Sequence, residues 1–160
     1  AETLIVSKKE LLKTPILGTM LKKLKYLIVD RWDFSKNMDD VKQIAHAIQQ
    51  KQSILFFPEG TFTYASGLRP FKTGTFQLAV EAQVPVCPIA INGSRQFLRD
   101  GSILFNPTKI TITVCDKVFP QGSDWNHVIQ LRNEVRKKIA QYCGEPCIDL
   151  IAAGPEILKS

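Results

Sequence analysis

The sequence predicts an α/β fold, a single domain with a mixed, mostly parallel sheet flanked by helices. Two observations predict it. Short apolar runs typical of buried strands alternate along the chain with stretches whose apolar residues recur at helical spacing. The 160 residues suffice for one domain with its own core, and 44% are hydrophobic and 22% charged, as in ordinary globular proteins.

The first third of the chain is expected to hold three strands and two helical stretches. The strands are Leu4–Val6, Tyr26–Val29 and Ile54–Phe57. The last is an unbroken apolar run, as expected where both faces of a sheet are covered. Glu10–Leu24 is helical but broken by Pro15. Ser35 can cap the second helix, whose apolar stripe is formed by Met38, Val41, Ala45 and Ile48.

A loop rich in Gly, Ser and Pro is expected over Pro58–Gly74, followed by a helix over Thr75–Gln83. Val86–Ile91 resembles another buried strand, whereas Ile103–Phe105 and Ile110–Cys115 resemble strands near a sheet edge. The last helix is expected over Trp125–Cys143, ended by Gly144 and Pro146. Its apolar face is formed by Trp125, Val128, Ile129, Val135, Ile139 and Tyr142.

The net charge of +6 favours an anionic partner, either phosphate groups, a phospholipid surface or nucleic acid, although solvation alone also explains it. Nucleic acid is the weakest of these, because the lysines are dispersed and the aromatic residues occupy apolar strands. The four cysteines have no zinc-ligand spacing, so no metal site is expected. They are interpreted as reduced, structural thiols of a cytosolic compartment, with a Cys143–Cys147 disulfide left open.

A membrane contact is one of two interpretations of Glu10–Val29, which mixes leucines with four lysines. Such a basic, apolar stretch can lie on an anionic bilayer. The alternative is an ordinary pair of core-facing helices with solvated lysines. No apolar run approaches the ~20 residues that cross a bilayer.

Charged residues directly follow two of the predicted strands. Glu59, with Gly60 and Thr61, follows Ile54–Phe57, and Arg31 follows Tyr26–Val29. Ligands of α/β sheets gather beyond the carboxyl ends of strands. If the two strands are neighbours, Arg31 and Glu59 face one crevice, where the guanidinium can bind a phosphate. The alternatives are a turn in which Glu59 only caps a backbone group, and a surface ion pair.

These segments resemble, in order, the glycerolipid acyltransferase family that includes lysophosphatidic acid acyltransferase. The family's second motif is similar to residues 26–31, Tyr-Leu-Ile-Val-Asp-Arg. Its third is similar to residues 57–61, Phe-Pro-Glu-Gly-Thr, and continues to residue 74. Its fourth is similar to residues 84–91, Val-Pro-Val-Cys-Pro-Ile-Ala-Ile. Phe62 departs from the family, which often has arginine there, so one phosphate contact is expected to be either lost or supplied by Arg69 or Lys72.

The family's first motif, His-x-x-x-x-Asp, is its catalytic pair, and the chain does not contain it. Neither His46 nor His127 has the required aspartate, and both are interpreted as surface or boundary residues. The chain opens directly on a strand-like run, and the family's first motif precedes that region. Residues 1–160 are therefore expected to be the C-terminal part of an acyltransferase domain truncated at its N-terminus, with no catalytic residue of its own.

The resemblance implies an O-acyltransferase of phospholipid biosynthesis or remodelling. Its partners would be a lysophospholipid acceptor, an acyl thioester on coenzyme A or acyl carrier protein as co-substrate, and an anionic membrane surface, without a cofactor or nucleic acid. It implies a location on the cytoplasmic side of a membrane and leaves fused domains possible. A non-catalytic lipid-binding or regulatory module of the same fold is the alternative. The implied substrate-binding residues are Arg31, Glu59, Gly60, Thr61, Arg69 and Lys72.

Overall fold

The computed structural model describes residues 3–8, 27–29, 38–60, 66–97 and 106–148. Within these ranges there are five strands and four helices. The strands are β1 (Thr3–Lys8), β2 (Leu27–Val29), β3 (Ser53–Leu55), β4 (Ile89–Asn92) and β5 (Thr111–Val114). The helices are α1 (Met38–Gln49), α2 (Gly74–Glu81), α3 (Ser94–Phe97) and α4 (Trp125–Ala140). The predictions for Glu10–Leu24, Ser35 and Ile103–Phe105 fall outside the described residues.

Strand pairing gives a parallel sheet of order β2–β1–β3 and a separate antiparallel pair of β4 and β5. Val29 of β2 lies opposite Lys8, and Leu55 of β3 lies opposite Ile5. Parallel strands joined through helices are the signature of an α/β fold, so the predicted fold class is confirmed.

The main core lies between α2, α4 and the inner face of β4. It contains Leu68, Phe71, Phe76, Ala79, Val80, Ala90, Val118, Val128, Leu131, Val135 and Cys143. The rings of Phe71 and Phe76 stack with centroids 6.2 Å apart, which fixes the end of the 66–73 loop against the start of α2. A side chain from that loop is thus part of the same core as both helices.

Two strands predicted to be buried on both faces are not. In β4 only Ala90 is buried, whereas Ile89 and Ile91 are about two-fifths exposed, at 38% and 42%. The reason is that β4 pairs with β5 alone among the described residues, and only one face of this pair contacts α4. Similarly, β3 is shorter than predicted and pairs with β1 alone among the described residues, and Phe57 beyond it is exposed.

The apolar faces of two helices are also shifted from the prediction. Among residues 42–49 of α1, whose side chains the structure describes, the buried positions are Ile44 and Ala47, which the predicted stripe omitted. On α4 the buried face is Val128, Leu131 and Val135, while Trp125 and Tyr142 are exposed. Trp125 is the first residue of the helix, and Tyr142 lies beyond its end at Ala140.

All four cysteines are free thiols in the structure, with no bond between Cys143 and Cys147. Cys143 is buried, whereas Cys87, on the strand-like run before β4, is exposed. Among the described helices, none has the length and apolar content to cross a bilayer.

Candidate functional site

The carboxyl ends of β1, β2 and β3 lie at one edge of the parallel sheet, because all three strands run in the same direction. β2 and β3 are not neighbours, since β1 lies between them. Two strand spacings separate them by about 10 Å. Leu55, the last residue of β3, lies opposite Ile5 of β1, whereas Val29, the last residue of β2, lies opposite Lys8. The chain therefore needs about three residues after Leu55 to reach the level of Val29. Glu59 therefore follows β3 at the edge where β2 also ends. Arg31 and Thr61 lie outside the described residues, and their place at this edge stays a prediction.

A tight turn presents Glu59. The amide of Gly60 donates to the carbonyl of Phe57 over 3.0 Å, which closes a four-residue turn. Gly60 is buried and has a φ of +71°, a conformation that a residue with a Cβ adopts only at a cost.

The carboxylate of Glu59 binds the loop that follows. Its Oε2 accepts a hydrogen bond from the backbone amide of Arg69 over 3.1 Å, and Glu59 is half-buried. No described residue donates to its Oε1. One carboxylate oxygen of Glu59 is thus bonded to the loop, and the other can accept a hydrogen bond from a substrate hydroxyl.

Backbone hydrogen bonds fix the 66–73 loop to two other segments of the chain. On one side, the amide of Lys72 donates to the carbonyl of Pro58 over 2.8 Å. On the other, Leu68 forms a parallel bridge with Cys147: its amide donates to Pro146 (2.8 Å), and its carbonyl accepts from Ile148 (3.0 Å). These bonds hold the loop backbone beside the turn at Glu59.

Gly67 permits this close approach to the C-terminal segment. It is buried with a φ of +127°, and a Cβ at this position would lie 2.2 Å from Cγ1 of Ile148 and 2.9 Å from the carbonyl oxygen of Pro146. Only glycine combines that φ with the absence of a side chain.

The 66–73 loop carries two basic residues, and its backbone lies beside the turn at Glu59. Arg69 is half-buried and Lys72 is exposed. Neither side chain forms an ion pair with a carboxylate of the described residues. Since Glu59 contributes one negative charge and the loop contributes two positive charges, the described part of the site carries a local excess of +1, which suits an anion. The structure thus brings together the turn at Glu59 and the loop that carries Arg69 and Lys72.

Neither histidine belongs to the site. His46 is exposed near the end of α1. His127 pairs with Asp124, its Nδ1 lying 2.8 Å from Oδ1, at the start of α4. Its ring also contacts Gly122, whose carbonyl accepts a hydrogen bond from the side chain of Gln83, two residues beyond the end of α2. The 66–73 loop instead meets α4 at Arg136, nine residues and about 14 Å of helix rise away. The His127–Asp124 pair is a helix cap.

Sequence reasoning missed one residue that contacts the site loop. Arg136 of α4 donates from Nη2 to the carbonyl of Leu68 over 3.0 Å and to that of Ile148 over 3.4 Å. No pattern in the sequence separates it from Arg132, Lys137 and Lys138 on the same helix. Its role depends on packing between segments distant in the chain.

No group of three or more His, Cys, Asp or Glu side chains among the described residues is placed to hold a metal ion. The polar groups gathered at the site are instead a carboxylate, two cations and backbone amides.

Comparisons with known proteins identify the family of the chain. The acyltransferase family model matches residues 1–92, which include the turn at Glu59 and the 66–73 loop. A 1-acyl-sn-glycerol-3-phosphate acyltransferase from Cocos nucifera is 27% identical over 81% of this chain and 43% of its own length. One from Limnanthes douglasii is 31% identical over 77% of this chain and 43% of its own. The chain spans less than half the length of these relatives.

A solved structure shares the fold. The crystal structure of the 1-acyl-sn-glycerophosphate (LPA) acyltransferase PlsC from Thermotoga maritima has a TM-score of 0.68, covering 88% of this chain and 57% of that chain at 22% identity. The fold, the turn at Glu59 and a family match over more than half of the residues agree, and this chain belongs to the acyltransferase family.

Proposed function

We propose that this chain supplies the acceptor half of the active site of a lysophospholipid O-acyltransferase. The acceptor would be a lysophospholipid with a phosphate head group, such as 1-acylglycerol-3-phosphate. The donor would be an acyl thioester of coenzyme A or acyl carrier protein, a co-substrate rather than a bound cofactor. The names of the relatives and the charge of the site support this acceptor class.

One observation carries the proposal: the hydrogen bond from the amide of Arg69 to Glu59. It joins the turn that follows β3 to the loop bearing Arg69 and Lys72. A carboxylate with one oxygen to which no described residue donates thereby belongs to the same turn-and-loop unit as two cations, neither of which has an ion-pair partner among the described residues. A phosphate ester with a neighbouring free hydroxyl matches that set of groups, because cations bind the phosphate and a carboxylate accepts from the hydroxyl.

In the proposed reaction the acceptor hydroxyl attacks the thioester carbonyl carbon. A base takes its proton as the C–O ester bond forms, the C–S bond breaks, and the protonated base returns the proton to the sulfur, which leaves as a thiol. The base would be a histidine paired with an aspartate, supplied by residues outside this chain. Arg31 would bind the phosphate with help from Arg69 and Lys72, and Glu59 Oε1 would orient the acceptor. Backbone amides at Gly60 and Thr61 would face the developing oxyanion.

The lipid acceptor implies that the reaction takes place at a membrane. We propose the cytoplasmic face of an anionic bilayer, with Glu10–Val29 as the contacting segment. The overall charge of +6 supports attraction to such a surface. Partner domains fused to the chain remain compatible with this arrangement.

The test is phosphate-dependent binding. The 160-residue chain is titrated calorimetrically with short-chain lysophosphatidic acid below its micelle concentration, and with the monoacylglycerol of the same acyl chain. Lysophosphatidic acid should bind at least about tenfold more tightly, and added salt should reduce the difference. Arg31→Ala and Lys72→Ala should each remove most of that preference, whereas Lys137→Ala, an exposed lysine of α4, should not. Equal affinity of the two lipids for the unmodified chain would refute the acceptor role.

A second experiment separates the enzyme from a non-catalytic lipid-binding module. The protein expressed from its complete reading frame is incubated with radiolabelled oleoyl-CoA and lysophosphatidic acid in anionic vesicles. The enzyme should form labelled phosphatidic acid, and Arg31→Ala should raise the KM for the acceptor with little change in the KM for the donor. Phosphate-dependent binding without any labelled product would favour the binding module.

A further inference from the structure

Arg136 and the carboxylate of Glu59 are both hydrogen-bonded to the same peptide group. The carbonyl of Leu68 and the amide of Arg69 belong to the same planar peptide unit. The carbonyl accepts from Nη2 of Arg136 over 3.0 Å, and the amide donates to Oε2 of Glu59 over 3.1 Å. A guanidinium and a carboxylate thus hold opposite ends of one peptide.

This arrangement is electrostatically favourable. A positive charge at a peptide oxygen polarises the group and makes its N–H a stronger donor, and a carboxylate is the acceptor that gains most from this. The 68–69 peptide and Arg136 are partly buried, where such polarisation is screened less than in water. The amide of Ile148 also donates to the carbonyl of Leu68, so this oxygen is held from two directions.

We propose that Arg136 is a positioning residue for the acceptor site, acting through the Leu68–Arg69 peptide to orient Glu59 and to place the cations of the loop. The inference rests on the proposed function for its substrate and on the hydrogen-bond geometry for its mechanism. Arg136 lies outside residues 1–92, so a residue beyond the family match completes the site.

Guanidinium geometry explains why arginine is suited to this role. Nη2 of Arg136 donates to two carbonyls, those of Leu68 and Ile148, on adjacent stretches of backbone. A rigid planar fork can hold both in fixed directions, whereas a lysine ammonium is a flexible point donor. Lysine should therefore keep the polarising charge but lose part of the orientation.

The first test needs no ligand. The ¹⁵N–¹H resonance of the Arg69 amide is followed in the unmodified chain and in the variants Glu59→Gln, Arg136→Gln and Arg136→Lys. Loss of either charge should shift the amide proton upfield, and Arg136→Lys should restore part of the shift. Arg132→Gln is the matched control, since Arg132 lies one turn earlier on the same helix and bonds to the adjacent Asn133. It should leave the resonance in place.

The second test measures acceptor binding by the same variants. Arg136→Gln should weaken binding of lysophosphatidic acid by about fivefold and that of monoacylglycerol by less, because monoacylglycerol has hydroxyls for Glu59 but no phosphate for the cations of the loop. Combining it with Glu59→Gln should cost less than the two single losses together, because both act on one peptide. Should Arg136→Gln fail to fold, Arg136→Lys provides the same comparison at reduced amplitude.

The outcomes distinguish the two proposals. If Arg136→Gln and Arg136→Lys match Arg132→Gln in both the Arg69 resonance and lipid affinity, while the unmodified chain prefers lysophosphatidic acid, the positioning role is wrong and the proposed function stands. If the unmodified chain shows no phosphate preference, the proposed function is wrong, and the role of Arg136 in acceptor binding is wrong with it.

Discussion

At the scale of single residues, Glu59 has one observed contact and one proposed role. Oε2 accepts from the Arg69 amide of the site loop, and Oε1, to which no described residue donates, is proposed to orient the acceptor hydroxyl. A residue used in this way affects both stability and binding. Substitutions that keep its shape but change its charge can separate the two effects.

Replacing Glu59 with Ala should lower the free energy of unfolding by about 1–2 kcal/mol, because the partly buried amide of Arg69 loses its acceptor. Glu59→Gln should cost less, since its side-chain oxygen can still accept. Urea denaturation measures both. Glu81→Ala is the control, because among the described residues Glu81 accepts only from the exposed Gln77 on the same helix and should contribute less than about 0.5 kcal/mol. Equal losses at positions 59 and 81 would show that the Glu59 contact does not support the loop.

At the scale of elements, the start of α4 is set by its cap. Asp124 accepts from the amide of His127 over 3.0 Å and contacts its imidazole. These hydrogen bonds hold the pKa of Asp124 below its usual 3.8, and the bond from the backbone amide of His127 has the largest effect. A carboxyl group with a lowered folded-state pKa adds stability above its unfolded pKa, and this is lost as the pH falls through the folded value.

Asp124→Asn should therefore have a lower Tm than the unmodified chain near neutral pH, and the difference should shrink below pH 3.8 as the carboxylate becomes protonated. Scanning calorimetry from about pH 5 to about pH 2 measures this. The comparison with Asp124→Ser, a cap without a titrating group, separates loss of charge from loss of the hydrogen bond. A Tm difference that stays constant down to the lowest pH would contradict the role of the charge.

Periodicity predicted the elements well where local sequence determines them. The apolar runs before Asp30 and Pro58 and the helix after Thr73 lie close to their predicted positions. Burial was predicted less well, because Ile89 and Ile91 form an apolar run whether one or both faces of their strand are covered. Coverage depends on which strands pair, and sequence spacing does not encode that pairing.

The site shows the same division. The turn at Glu59 and the cations of its loop could be found from a local motif. The contact between Leu68 and Arg136 could not, because 68 residues separate the two in the chain. Arg136 also lacks any local feature that distinguishes it from the other basic residues of α4.

At the scale of the whole molecule, the main core joins the family-matched residues to the rest of the chain. Phe71, Phe76 and Ala79 come from residues 1–92, whereas Val128, Leu131 and Val135 come from α4. Much of the support for the site loop is therefore the same packing that holds the two parts of the chain together.

Leu131→Ala should lower the free energy of unfolding by about 2–4 kcal/mol, because it leaves a cavity in this shared core. Ile112→Ala is the control, since Ile112 is 65% exposed on β5, and its loss should cost less than about 0.5 kcal/mol. Guanidinium denaturation followed by tryptophan fluorescence measures both. Similar costs at positions 112 and 131 would contradict the placement of the core.

The peptide shared by Glu59 and Arg136 has a consequence for recombining homologous sequences. A chimera that joins the first 92 residues of this chain to the remainder of another family member would keep the residues proposed here to bind the acceptor. It would keep a correctly shaped site only if the grafted part also presents a guanidinium to the Leu68 carbonyl. A crossover point chosen from motif boundaries alone would separate Glu59 from Arg136, although both bond to the same peptide group.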